Sequence, residues 1–232
     1  MPAECTHCRL PATLCICALV PRLRTRTRLV VVVPYHESRK PSNTGQLAAR
    51  CVDGGTVQIL PKRGGPVRAP VVAPGEQPLV LFPAPDARPI TDYGGLAPIT
   101  LIVPDGTWPQ ARTLQQHGPL RHHTCVTLPA LGPSEYRLRD EPQPGGLATF
   151  EAIARALNIL EGDAGKQIET AMLAVFRVMV DRLLWFRGKL HDHEVSGGVP
   201  AAALANDPRG ETTRAAERAK TCAPMLRRRS AG

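Results

Sequence analysis

Ile99 to Val103 is an unbroken run of apolar and β-branched residues, and it leads straight into Pro104-Asp105-Gly106-Thr107-Trp108-Pro109. A helical pattern, Gln110 to Gln116, follows. A short run without polar alternation reads as a strand covered on both faces, which requires packed layers above and below the sheet. Leu29 to Val33 is a second run of this kind, and Thr56 to Leu60, Leu79 to Phe82 and Thr124 to Leu128 read as shorter strands. Helical segments lie between and after them. Ser42-Asn43 opens one through Cys51, with either residue able to cap it. Thr149 caps another, whose Phe150, Ile153, Ala154, Leu157 and Leu160 form one apolar stripe. A third, Ile168 to Lys189, is apolar at Met172, Val175, Phe176, Met179, Leu183 and Phe186. Strands alternating with helices specify an α/β fold with a mostly parallel sheet flanked by helices. In such sheets ligands bind at the carboxyl edge of the strands. Asp105, Gly106, Thr107 and Trp108, one of only two tryptophans, sit at that edge. Asp105 is either a functional carboxylate or the N-cap of the following helix; Thr107 can also cap it.

The 232 residues divide into a cysteine-bearing module at 1–20, an α/β domain at 21–195, and an Ala/Arg-rich tail at 196–232 that reads as disordered or loosely helical. Aromatic residues make up only 4%, so the core must be aliphatic. The net charge of +9 points to a polyanionic partner, with nucleic acid first; a general preference for arginine, inflated by the tail, is the alternative. Arg22, Arg24, Arg26 and Arg28 alternate, so an extended chain puts them on one face. That face is a ridge for phosphates or the solvated side of an edge strand. No apolar run approaches the roughly 18 residues of a membrane span, and Met1 to Arg9 lacks a signal-peptide core. The expected compartment is the cytoplasm, where cysteines serve as metal ligands or free thiols.

Four of the seven cysteines form the pattern Cys5-x2-Cys8-x6-Cys15-x-Cys17. Four thiolates close a tetrahedral zinc site, and a 20-residue module has too little core to hold a shape without one. With no open position the metal is structural. His7 is a possible replacement for one sulfur, and a reduced, metal-free segment is the other reading. Cys51, Cys125 and Cys222 are scattered.

These motifs, in this order, resemble the DTW-domain family, the tRNA-uridine aminocarboxypropyltransferases. The matching features are the cysteine cluster with Leu10-Pro11, then Pro41-Ser42-Asn43-Thr44-Gly45-Gln46-Leu47, then Asp105-Gly106-Thr107-Trp108 with Pro109 and Ala111-Arg112. Tyr136-Arg137-Leu138-Arg139 and Thr149 with Glu151-Ala152 complete the series. The resemblance spans residues 4 to 190. His36-Glu37 lies closer to the Asn-Thr-Gly motif than in many members and receives no role, and the tail lies outside the pattern.

The resemblance implies a SPOUT-like domain with a C-terminal trefoil knot and S-adenosylmethionine as co-substrate. It further implies transfer of the 3-amino-3-carboxypropyl group to N3 of a tRNA uridine, with release of 5′-methylthioadenosine. Asp105 is then the base for the N3 proton. Gly106, Thr107, Trp108, Ser42, Asn43, Thr44, Gly45, Tyr136, Arg137 and Thr149 would hold the cofactor, while Arg139, Arg112, Arg24 and Arg26 would contact RNA. Cys5, Cys8, Cys15 and Cys17 would hold zinc. Trp108 either contacts a ligand or anchors its helix to the sheet. The polar helix start at Ser42 to Gly45 suits an anion or simply a cap. Two rival readings are a methyltransferase using the same cofactor and a zinc-stabilised RNA-binding protein without catalysis.

Overall fold

A computed structural model describes residues 3–40, 43–62, 68–95, 98–130, 132–138, 146–206 and 208. In chain order its elements are β1 (Arg28–Pro34), α1 (Tyr35–Ser38), α2 (Thr44–Cys51), β2 (Thr56–Leu60), β3 (Gln77–Leu81), β4 (Arg88–Pro89) and β5 (Ile99–Pro104). They continue with α3 (Trp108–Gln116), β6 (Thr124–Thr127), α4 (Thr149–Leu160), α5 (Gly165–Phe186) and α6 (Ala201–Leu204). Short 3-10 turns cover Ala12–Leu14, Cys17–Leu19 and Ile90–Tyr93.

The six strands form one parallel sheet in the order β2-β1-β5-β3-β6-β4. The two unbroken apolar runs are neighbours at its centre, with Leu29 opposite Leu101 and Val31 opposite Val103. Both of their faces are used. Leu29, Val31, Leu101 and Val103 pack in one cluster with residues of α2, α4 and α5, while Val30, Val32 and Ile102 pack with Ala111 and Leu114 of α3. Phe150 of α4 stacks on Phe176 of α5 with ring centroids 4.9 Å apart. Such a pair adds about 0.5–1.5 kcal/mol beyond the area it buries.

The connections fix where a ligand can sit. From β1 the chain runs through α2 to β2 on one side. From β5 it runs through α3 to β6 on the other side, beyond β3. The carboxyl ends of β1 and β5 therefore flank the place where successive crossovers depart in opposite directions, and a crevice opens at such a point.

Several boundaries differ from those expected. Helix α3 begins at Trp108, ahead of Gln110, because Pro109 has no N–H to lose in a first turn. Strand β3 spans Gln77–Leu81 and stops short of Phe82. Helix α5 starts and stops three residues early; the N–H groups of Gly188 and Lys189 return to the carbonyls of Trp185 and Leu184 and close it. Thr149 does not cap α4. Ala148 occupies the cap position, and the buried Glu151 reaches back to its N–H at 3.0 Å. β4 and the turn at Ile90–Tyr93 were not expected, since a two-residue strand beside a proline carries no periodicity.

The cysteine module is not a separate bead. Leu10, Leu14 and Ile16 are fully buried in the same cluster as α2, α4 and α5. Chain from residue 196 onward stays packed at first: Ser196 N–H binds Asp181, and Ala203 is buried. Residues 207 and 209–232, with Cys222 and the arginine run, lie outside the described residues. Among the described residues no helix is long and apolar enough to cross a membrane.

Candidate active site and metal centre

Asp105 follows the last residue of β5, and its N–H extends the ladder to the Val32 carbonyl at 2.9 Å. That pairing sets its side chain at the carboxyl ends of β1 and β5, where it is 5% exposed. One carboxylate oxygen accepts from Asn43 Nδ2 at 2.6 Å, and the other accepts from Thr149 Oγ1 at 2.6 Å. Asn43 is the N-cap of α2, and its Oδ1 accepts the Gln46 N–H at 3.0 Å. Because the cap uses the amide oxygen, the amide nitrogen is left to face Asp105. Thr149 is the first residue of α4, and the next N–H, of Phe150, points to Thr44 Oγ1 at 3.4 Å.

The N-terminal ends of α2 and α4 thus meet, and the carboxylate of Asp105 lies between them. Each end carries the positive pole of a helix, so one anion between two ends is favourable by about 0.3–1 kcal/mol for each. The anion expected at the Ser42–Gly45 helix start is therefore supplied from within the chain. Gly45 makes the approach possible: a Cβ there would lie 2.6 Å from Asp105 Oδ2 and 2.7 Å from its Cγ.

Thr107, not Asp105, caps α3, and its N–H is taken by Gln110 Oε1 at 2.7 Å. Gly106 between them has φ 153°, and a Cβ on it would meet Gln110 Oε1 at 2.7 Å, so the Asp-Gly-Thr turn admits glycine alone without strain. Trp108 is half-buried on the α3 face of the sheet and packs against Phe82 with centroids 6.2 Å apart.

The other residues singled out in the sequence are placed elsewhere. Tyr136 is buried and stacks on Phe176 at 6.0 Å, and Arg137 pairs with the buried Asp181 of α5. Ser42 and Arg139 lie outside the described residues. Arg22, Arg24, Arg26 and Arg28 are all exposed, as their alternation predicts. They precede or open β1, while Asp105 lies beside Val32 near its other end. Arg24 and Arg26 therefore flank the edge of the sheet opposite the Asp105 crevice. The backbone N–H groups of Arg26 and Thr27 bind the buried Glu161 at 2.8 and 2.9 Å. Arg112 is exposed on α3.

Two further residues carry structural weight, Glu151 from the motif that opens α4 and Arg182, which no motif marked. Glu151 is fully buried and also accepts the Glu135 N–H at 2.6 Å, tying the segment before Tyr136 to α4. Arg182 of α5 is 6% exposed and donates to the Cys15 carbonyl at 2.8 Å. A buried charge in an otherwise apolar helix stripe was the available clue to it.

Cys5, Cys8, Cys15 and Cys17 bring their sulfurs within 4.8 Å of one another, and His7 is not part of the group. The Cys5–Cys15, Cys5–Cys17 and Cys8–Cys15 separations are 3.5, 3.7 and 3.8 Å. A tetrahedron with metal–sulfur bonds of about 2.3 Å has edges of about 3.8 Å, so the four sulfurs match a closed metal site. Without a cation they titrate unlike one another. The N–H groups of Cys8 and His7 hold Cys5 down at about 6, whereas burial pushes Cys8 up to about 12. A divalent cation at the centre would hold all four as thiolates. Arg50 of α2 donates to Cys17 Sγ at 3.4 Å, so the module is fastened to the helix whose other end holds Asp105.

The family model described as the DTW domain matches residues 2–184. The chain is 28% identical over 167 residues to "tRNA-uridine aminocarboxypropyltransferase 2" of Drosophila melanogaster, covering 68% of this chain and 66% of that protein. It is 30% identical over 168 residues to the Macaca fascicularis protein of the same name, covering 68% of this chain and 56% of that one. With "tRNA-uridine aminocarboxypropyltransferase A" of Arabidopsis thaliana the identity is 28% over 209 residues, covering 76% and 79%. The aligned part thus spans just over half to about two thirds of the two animal relatives. No solved structure matches the chain. With the family match running from the cysteine module through the Asp105 crevice into α5, the chain belongs to the DTW-domain family.

Proposed function

We propose that the protein transfers the 3-amino-3-carboxypropyl group of S-adenosylmethionine to N3 of a uridine in tRNA. The observation that carries this reading is the carboxylate of Asp105, held in the crevice at the carboxyl ends of β1 and β5. The names of the relatives supply the reaction class.

The donor is a sulfonium whose three S–C bonds are equally activated, so aiming selects the product. N3 of uridine becomes nucleophilic as its proton leaves. Asp105 takes that proton, the N3–Cγ bond forms, the Cγ–S bond breaks, and the electron pair stays on sulfur in neutral 5′-methylthioadenosine. The sulfonium charge disappears along this path. A carboxylate against the sulfonium would stabilise the ground state more than the transition state, whereas one facing N3 gains as the proton moves. Asp105 therefore serves the uridine side. Asn43 and Thr149 orient its two oxygens. Thr44, Gly45, Gly106, Thr107 and Trp108 frame the crevice where the donor lies; Arg112, Arg24 and Arg26 are RNA contacts, the last two remote from the chemistry. Tyr136 and Arg137 shape the site through α5.

Structural zinc on Cys5, Cys8, Cys15 and Cys17 belongs to the same reading, supported by sulfur spacings that suit it. So do SPOUT kinship with its knot, consistent with the all-parallel sheet, and a cytoplasmic setting where tRNA is met.

The test incubates the protein with S-adenosylmethionine and unmodified tRNA and reads nucleosides and released cofactor by mass spectrometry. Aminocarboxypropyl-uridine with 5′-methylthioadenosine is expected. A methylated nucleoside with S-adenosylhomocysteine, or bound RNA with no product, overturns the proposal. Asp105→Asn keeps the size of the side chain and removes the base. It is expected to lower turnover by at least about 100-fold, and turnover within tenfold of the parent sinks the assignment of Asp105.

A further inference from the structure

Among the described residues Arg9 alone is a non-glycine at positive φ, at 62°. Left-handed backbone costs an L-residue about 1–2 kcal/mol, and glycine adopts it freely. The turn itself is tight: Arg9 N–H binds the Cys5 carbonyl at 2.9 Å, and Cys5 N–H binds the Leu10 carbonyl at 2.8 Å. Glycine would close this loop around the cysteines at lower cost. Residues held in such a conformation cluster where the side chain has a task.

Arg9 lines a cleft between the cysteine module and α2, together with His7, Cys8, Lys40, Asn43, Gln46 and Arg50. None of the described residues lining it is a carboxylate. Glu37 lies beside it, and its Oε1 takes one of the three Lys40 donors at 2.7 Å. Arg50 engages Cys17 through Nη2, while its Nη1 is buried without a partner. Asn43 belongs to both places: it lines the cleft and binds Asp105. An anion in the cleft therefore sits next to the Asp105 crevice.

We propose that this cleft holds a backbone phosphate of the substrate RNA beside the target uridine, with Arg9 as its anchor; the proposal rests on the reading of RNA as substrate. The donor also carries an oxyanion, its α-carboxylate. That group arrives with an adjacent ammonium, which a ring of Arg9, Lys40 and Arg50 repels. A phosphodiester brings negative charge with no cation attached, and an arginine fork fits its oxygens in a bidentate manner.

The variant Arg9→Gly separates anchor from scaffold, because it removes the charge and also relieves the backbone. Metal-loaded Arg9→Gly is expected to keep its metal and to melt at or above the parent temperature. It is expected to bind tRNA about tenfold more weakly, with the salt dependence of binding shallower by about one phosphate contact. Arg9→Lys recovers part of that loss, and the affinity for S-adenosylmethionine, read by calorimetry, stays at the parent value. Parent-like tRNA affinity in Arg9→Gly overturns the proposal. Loss of S-adenosylmethionine binding with tRNA binding intact also overturns it and assigns the cleft to the donor carboxylate. Lower stability together with metal loss marks Arg9 as scaffold only. Binding is read without turnover, so absence of product in the parent protein overturns the proposed function alone, while product formation that ignores Arg9 overturns only the cleft.

Discussion

The cysteine module and the Asp105 crevice both pack against α2, yet they are built in different ways. The module takes its four candidate ligands from within 13 consecutive residues, Cys5 to Cys17, and a metal held there would supply its cohesion. The crevice takes Asn43, Asp105 and Thr149 from segments separated by 62 and 44 residues, and the rest of the fold must hold them in place. Loss of the metal should therefore be a local event with a large thermodynamic effect. Damage to the crevice should be small in stability and large in function. Arg50, which joins Cys17 to α2, is where the two could become linked.

The largest effect should come from the module. Cys8→Ser, or removal of metal by a strong chelator, is expected to abolish the sulfur-to-cobalt charge-transfer band of cobalt-loaded protein. It also frees Leu10, Leu14 and Ile16 from burial. At about 1.5–3 kcal/mol per side chain and 2–4 °C per kcal/mol, the melting temperature should fall by roughly 10 °C or more. A fall of only a degree or two would mean that the module is held by packing, and the contrast with the crevice would dissolve.

Thr149→Val removes a donor to Asp105. A hydrogen bond to a charged group is worth about 1.5–3 kcal/mol, and denaturant unfolding is the measurement. Turnover should fall further than stability does. Gly45→Ala puts a methyl group into the space of the carboxylate and is expected to cost about 1–3 kcal/mol, again with a larger loss of turnover while metal content is unchanged. If either variant sheds metal, the two regions are one cooperative unit.

Arg50→Met tests the link directly. Loss of a group that hydrogen-bonds a metal ligand commonly lowers metal affinity about 10–100-fold, and competition against a chromophoric chelator measures it. The smallest effect belongs to a contact outside both regions. Arg177, through its hydrogen bonds, holds the Glu135 carboxyl below its ordinary range. A depressed carboxyl contributes stability that is present above its unfolded pKa and is lost as pH falls through the lower folded value. The pair is exposed, so Arg177→Leu should cost under about 1 kcal/mol at neutral pH, and the cost should vanish on acidification.

Much of the scaffold could be read directly. The doubly covered strands β1 and β5 declare themselves, because a run with no polar alternation has no solvent face, and Thr56–Leu60 matches β2 residue for residue. The metal group is legible because ligands close in sequence are close in space. Asp105 stands out as an acid at the end of a buried strand. Its partners do not: capping is a local property, so Thr149 reads as a cap from its neighbours alone, and only the packing of α4 on α2 turns its hydroxyl toward Asp105. Tyr136 and Arg137 share a motif with family resemblance, but an extended segment has two faces, and packing against α5 assigns both side chains to that helix.

Local chemistry in the sequence therefore determined the parallel α/β class, the two central strands, the four sulfurs and the position of an acid at the sheet edge. Periodicity, spacing and turn chemistry act over a few residues and need no partner to be legible. The tertiary structure alone decided that two helix N-termini converge on that acid, that Gly45 clears the space for it, and that Arg9 overlooks a cationic cleft shared with Asn43. Those facts depend on the order in which strands assemble and on which helices then abut. That order is set by long-range packing, which no window of the chain contains.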